Sequence, residues 1–374
     1  MSLLTALNAM WLGLLLHIAV AIWNSFFGPS FGADIDAAGF HAGAVAYSKG
    51  LNFVLYPTEF YTYALGIIYR WVADSLLLGS LLSCAAWSAS AVVLLKMMRL
   101  LSLSAYSQFQ AMLIYALLPS AILITSVTLR EAYQLLALNL AVYSALRIYM
   151  HQSRAHWTVL LFAVALMGLL HYGLLVVGIL IACIAGVLSF FKGRNRGALI
   201  RFTFFLVLST VAIYITLFLL LNVVLNESNG LAAVIQSRQD SWQQISRAYY
   251  SIGVKITSDS DILLFIPVAL FHYFFQPMPW HITTIADLGL FFENILRAFL
   301  LWKVLLNLYQ LPSQRRAPVL VVFACYLIAE TLWAVGTINW GTAARHHVPS
   351  LGLLVLAAYA GSGGGSRERQ LPSA

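Results

Sequence analysis

Apolar side chains run along this chain in long stretches rather than in the narrow stripe of a helix with one water-facing side. Ten such stretches lie at residues 5–27, 75–98, 107–127, 132–150, 157–171, 173–191, 202–225, 286–309, 318–338 and 348–361. A bilayer core about 30 Å thick takes roughly 20 apolar residues per spanning helix. The pattern therefore predicts an all-α polytopic membrane protein of about ten transmembrane helices. Two further apolar pieces, near 51–72 and 262–276, are interrupted by Pro57 and Pro267 and read as interfacial or re-entrant segments.

The polar positions between these stretches set the orientation. Basic residues gather as Lys96 with Arg99, Arg147 with Arg154, Lys192 with Arg194, Arg196 and Arg201, Arg315 with Arg316, and Arg367 with Arg369. With a cytoplasmic N-terminus and a 262–276 segment that does not cross, all these groups fall on the cytoplasmic side, as the positive-inside rule requires. The same arrangement makes 157–191 two short helices turning near His171. The first stretch has no basic region before it and reads as a retained helix rather than a cleaved signal. Residues 1–361 then form one transmembrane domain, with 28–74 a first outer loop and 226–285 a long outer loop or re-entrant segment. The Gly361–Ser366 run opens a flexible cytoplasmic tail at 362–374.

Composition agrees. Hydrophobic residues make up 61% of the 374 and charged residues only 9%, against about 25% charged in a soluble domain. The net charge of +8 is spread between the apolar stretches, which speaks for topology and against nucleic acid. Cys84, Cys183 and Cys325 sit inside apolar stretches without metal-ligand spacing.

Acidic residues have their own distribution. Asp34, Asp36, Glu59, Asp74, Glu131, Glu227, Asp240, Asp259, Asp261 and Asp287 fall on the outer face, while Glu368 is cytoplasmic. Avoidance of the anionic inner leaflet accounts for part of this bias, and chemistry on the outer face is one explanation of the rest. The segments 28–74, 226–285 and 338–347 are the outward pieces long enough to build a site.

Three pieces on the outer face carry candidate chemistry. In the first, Asp34 and Asp36 stand two apart at a helix start, where the helix dipole favours the ionised carboxylate. Asp36 also has the placement of an N-cap, but capping accounts for one aspartate and not both. A small-residue helix closing on Lys49-Gly50 follows, then Tyr56-Pro57 and Tyr69-Arg70. In the second, Leu117-Leu118-Pro119-Ser120 leads to Leu129-Arg130-Glu131, with Glu131 in the first turn of a helix. In the third, Arg345-His346-His347 precedes Pro349 beside a membrane face. An arginine there suits either a lipid phosphate, which it binds with two parallel hydrogen bonds, or simple interfacial anchoring.

Asp36, Phe40, Gly50, Tyr56-Pro57 and Tyr69-Arg70, in that order and at that spacing, resemble the opening of the GT-C glycosyltransferases. The likeness is to the protein O-mannosyltransferase and aminoarabinose-transferase branch, and Arg130-Glu131 and Arg345 resemble two further pieces of it. The family usually has Asp-Glu where this chain has Asp36-Ala37, and Arg-Tyr where it has Arg345-His346. The resemblance covers about the first 150 residues and the last 40. It implies transfer of a sugar from a polyprenyl phosphate to a glycan, lipid or protein acceptor, at the outer face of a bacterial inner membrane. It further implies Asp36 as base with Asp34 as substitute, Glu131 as orienting carboxylate, and Arg345, His346 and Arg130 on the donor phosphate. No cofactor is required, although carboxylates beside a phosphate can hold a divalent cation.

Two other readings compete. A polymerase of lipid-linked glycans would use Arg238 and Arg247 on an anionic glycan. A transporter or flippase would place charges within the spans, as Glu293, Arg297 and Glu330 are placed. Glu293 and Arg297 stand four apart on one helix, at the spacing of an ion pair.

Overall fold

A computed structural model describes residues 5–28, 34–51, 59–192, 247–250, 252–254 and 261–363. The described chain is helical: α1 Ala6–Phe26, α2 Asp34–Ser48, α3 Phe60–Trp71, α4 Leu76–Leu100, α5 Ala105–Leu117, α6 Pro119–Thr125 and α7 Glu131–His151 form its first half. The second half holds α8 Ala155–Leu170, α9 Tyr172–Lys192, α10 Ile262–Phe275, α11 Ile285–Gln310, α12 Ser313–Gly336, α13 Trp340–His347 and α14 Leu351–Tyr359. This is an all-helical polytopic membrane protein.

Among the described residues, four helices are long and apolar enough to cross a bilayer, and five if one bent pair counts as a span. That does not support a count of ten, and the reasons are physical. The stretch 107–127 is broken where Pro119 begins α6, because the residue before a proline is driven out of the helical region. Leu118 takes φ −64 and ψ 119 there, and α5 and α6 meet at 59°. The stretch 286–309 carries Asp287, Glu293, Arg297 and Lys303. The stretch 348–361 yields the nine-residue α14, in which every residue is buried, so it is enclosed by other helices rather than facing lipid. The stretch 202–225 lies outside the described residues.

The expected turn near His171 is present. His171 adopts an extended conformation (φ −166, ψ 128) between α8 and α9. A Cβ on Gly178 would meet Val164 and Met167, and one on Gly168 would meet Leu175, so the two helices pack as an antiparallel hairpin. On one side α1 lies across α4 and α5, so closely that a Cβ on Gly13 would stand 2.7 Å from Ala116 and 2.8 Å from Trp87. On the other side α13 and α14 descend beside α11. Trp340 Nε1 donates to Asp287 Oδ1 at 2.9 Å near the start of α11, and Asn307 Nδ2 donates to the Ala358 carbonyl at 2.7 Å near its end. Between these packing centres α7 runs against α4, α8 and α9, and its N-terminus reaches the short helices α2 and α13 that carry the candidate residues.

Candidate functional site

Helix α2 begins at Asp34, so Asp36 is the third residue of its first turn and not its N-cap; the side chain of Asp34 lies outside the described residues. Gly50 closes the helix with φ +79, a left-handed conformation that glycine adopts without a Cβ clash. Tyr56-Pro57 lies outside the described residues. The Tyr69 hydroxyl on α3 bonds His41 Nδ1 on α2 at 2.9 Å and so joins the two helices.

Glu131 is the first residue of α7, where the helix dipole favours its negative charge. It is nonetheless buried, with 3% of its surface exposed. A carboxylate in such a place needs a partner. Arg345 is that partner, held on α13 whose start is capped by Asn339 accepting from Gly341 N at 2.7 Å and Thr342 N at 3.2 Å. Arg345 Nε donates to Glu131 Oε1 at 3.1 Å, and Nη2 donates to the same oxygen. Its Nη1 donates to Asp36 Oδ2. One guanidinium thus joins two carboxylates that stand 309 and 214 positions away in the chain. The three side chains grade from inside to outside: Glu131 is 5% exposed, Arg345 15% and Asp36 54%.

Arg130 stands beside the cluster. Its Nη1 donates to the Leu170 carbonyl at 3.2 Å, and its guanidinium lies 5.7 Å from the centre of the Phe40 ring. Arg130 Nε and Glu131 Oε2 are both buried with no hydrogen-bond partner among the described residues. These two atoms, one donor and one acceptor, give the cluster unused capacity for a bound group.

His346 and His347 diverge. His346 Nδ1 pairs with Thr337 Oγ1 at 2.7 Å, and its ring stacks on Trp333 at 4.1 Å. Burial first, then the neighbouring His171 and Arg345, lower its pKa well below the usual histidine value. His346 thus stands next to Arg345 as a hydrogen-bonding group. His347 turns the other way, to Glu330 and to the Tyr273 carbonyl, which lies 3.2 Å from its Nε2.

Several sequence-level assignments fare differently. Arg247 donates to Asp287 at 2.7 and 3.1 Å and to Thr283 at 2.6 Å, which ties it to the start of α11. Arg238 lies outside the described residues. Glu293 and Arg297 do not pair with each other: Glu293 accepts from Ser120 N at 2.8 Å, and Arg297 donates to Asn294 Oδ1. Glu330 is fully buried and bonded to His347 and Ser350.

Sequence reading missed the aromatic wall beside the cluster. Phe40 meets Tyr61 edge-on at 5.2 Å, Tyr61 meets Tyr133 at 5.3 Å, and the Tyr61 hydroxyl is buried without a partner among the described residues. It also missed the shelf of His171, Trp333 and Thr337 under His346. Their signal is faint, because tyrosine and tryptophan are common at membrane interfaces.

No protein-family model matches the chain, and no curated protein does. Among solved structures the chain is similar to the archaeal oligosaccharyltransferase AglB from Archaeoglobus fulgidus, in complex with an inhibitory peptide and a dolichol-phosphate. The identity is 13% and the TM-score 0.47, and the likeness covers 94% of this chain and 50% of that one. This chain thus spans about half the length of that protein.

Proposed function

We propose that this protein is a GT-C-type glycosyltransferase that moves a sugar from a polyprenyl phosphate to an acceptor hydroxyl at the outer membrane face, with inversion. The supporting observation is the meeting of Asp36, Glu131 and Arg345, three residues singled out by separate motifs, in a single ion cluster. Such a transfer needs a base for the acceptor and a cation for the leaving group, and this cluster holds both.

The roles follow from burial. Asp36 is the most exposed of the three and takes the proton from the incoming hydroxyl. The acceptor oxygen bonds to the anomeric carbon as the bond from that carbon to the phosphate oxygen breaks. The electron pair leaves on the polyprenyl phosphate, where Arg345 and Arg130 offset the growing negative charge. Glu131, buried behind Arg345, orients the guanidinium. His346 contributes a hydrogen-bonding group beside Arg345. The acceptor class, glycan, lipid or protein, is set by segments beyond this cluster. The chemistry as written requires no metal.

A binding experiment tests the phosphate half of this reading. Saturating polyprenyl phosphate is expected to raise the unfolding midpoint of the purified wild type, through a stabilisation of about 2.7 kcal/mol at a hundredfold excess over Kd. Arg345→Gln should lose most of that rise. Equal stabilisation of both proteins, or equal stabilisation of the wild type by uncharged polyprenol, overturns the assignment.

A further inference from the structure

Arg297 is a buried guanidinium that the proposed reaction does not use. It sits at mid-length of α11 with 6% of its surface exposed, and its hydrogen-bond acceptor is the Asn294 side chain. No carboxylate lies within ion-pair distance of it among the described residues. Glu293, one turn earlier, is turned toward α6 and Ser120 N, and Glu330 is held by His347 and Ser350. A buried cation without a direct counter-ion costs several kcal/mol in a low-dielectric surrounding. An ionisable residue inside a membrane bundle is also a functional candidate by default.

Arg297 lines a small cleft. Its lining includes Asn294, Leu290, Trp340, Ala343, Ala344 and His347. The cleft encloses about 190 Å³ counting its open mouth, and its interior has room for about one water-sized group. The alanines of α13 leave that space, while Arg345 and His346 of the same helix are engaged elsewhere, with Glu131 and Thr337. Asn294 is held in place by its Nδ2 donating to the Gln276 carbonyl at 2.6 Å. The cleft thus has a fixed amide, a planar fork of donors and a wall of two alanines on its α13 side.

We propose that this cleft is a second oxyanion site, separate from the Arg345 cluster, which takes a phosphate oxygen from an anionic lipid headgroup or from free phosphate. A guanidinium presents parallel N–H groups that match an oxyanion in charge and geometry. The site needs no sugar transfer to be detected.

The test uses the full chain in phosphatidylcholine nanodiscs, with and without a minor fraction of phosphatidylglycerol. Native mass spectrometry counts the phosphatidylglycerol retained, and a melting titration measures the response to inorganic phosphate. Either ligand is expected to bind the wild type. Arg297→Gln should weaken that binding by about tenfold, the size of one lost charge-assisted hydrogen bond, and Arg297→Lys should weaken it less. Leu290→Trp, which narrows the cleft and keeps the guanidinium, should block binding while the protein still melts cooperatively. This variant decides the matter if Arg297→Gln does not fold. Retention of lipid alone identifies a headgroup site, and a response to phosphate identifies a free-anion site. The proposal is overturned if neither ligand binds the wild type, or if the variants bind as it does.

Discussion

Alanine in place of Arg345 is expected to slow sugar transfer by about 10²–10³-fold, the loss associated with removing one preorganised group at a developing oxyanion. The same change should destabilise the protein by about 3–5 kcal/mol, because it strands a buried carboxylate. Glu131 is 5% exposed, and Arg345 is the side chain that donates to it. These two losses have separate causes and can be separated. Glu131→Gln in the Arg345→Ala background replaces a buried charge with a neutral amide, so it should recover a good part of the stability and none of the transfer. Unfolding midpoints of the wild type, both single variants and the double variant check this. Strictly additive losses would show that the two side chains are not coupled, and the role of Glu131 as the group that orients Arg345 would be lost.

The second large effect is expected at Asp36. Asn at this position keeps the shape and one acceptor oxygen but cannot take a proton, so transfer should fall by about 10²–10⁴-fold. Asp36 is 54% exposed in its pair with Arg345. An ion pair that open to solvent contributes at most about 1 kcal/mol, so the unfolding midpoint should hardly move. Binding of polyprenyl phosphate should also persist, since Arg345 and Arg130 remain. Asp34→Asn is the matched control, two residues earlier in the first turn of α2. Its transfer rate should stay within a few-fold of the wild type. The reverse outcome, with Asp34→Asn inactive and Asp36→Asn active, would move the base to Asp34.

The cluster was legible in the sequence because its members stand in short motifs at helix starts and ends, where backbone constraints leave a pattern. Asp36 lies in the first turn of α2, Glu131 opens α7 and Arg345 lies in the last turn of α13. What the motifs did not carry is the pairing. That Arg345 reaches both carboxylates depends on packing between elements far apart in the chain. Nor could spacing reveal that Arg247 is committed to Asp287, forty positions on. Glu293 and Arg297 have the right spacing to pair, a preference of only a few tenths of a kcal/mol, yet Glu293 is claimed by the tertiary partner Ser120 N and Arg297 by Asn294, three residues earlier on the same helix. Hydrophobicity identified the membrane class, while the described residues support four or five spans rather than a count of ten. The run at 348–361 is apolar because α14 is enclosed in the bundle, and hydropathy alone does not separate burial in protein from burial in lipid.

The most direct measurement of the central claim is transfer of radiolabel from polyprenyl-phosphate sugars by the purified protein in lipid, wild type beside Asp36→Asn and Arg345→Ala. The account predicts that label moves to an acceptor with the wild type, that both variants lose it, and that the product has the inverted anomeric configuration. Transfer undiminished in both variants would contradict it. So would a wild type that carries the lipid-linked sugar across a liposome bilayer and releases no polyprenyl phosphate.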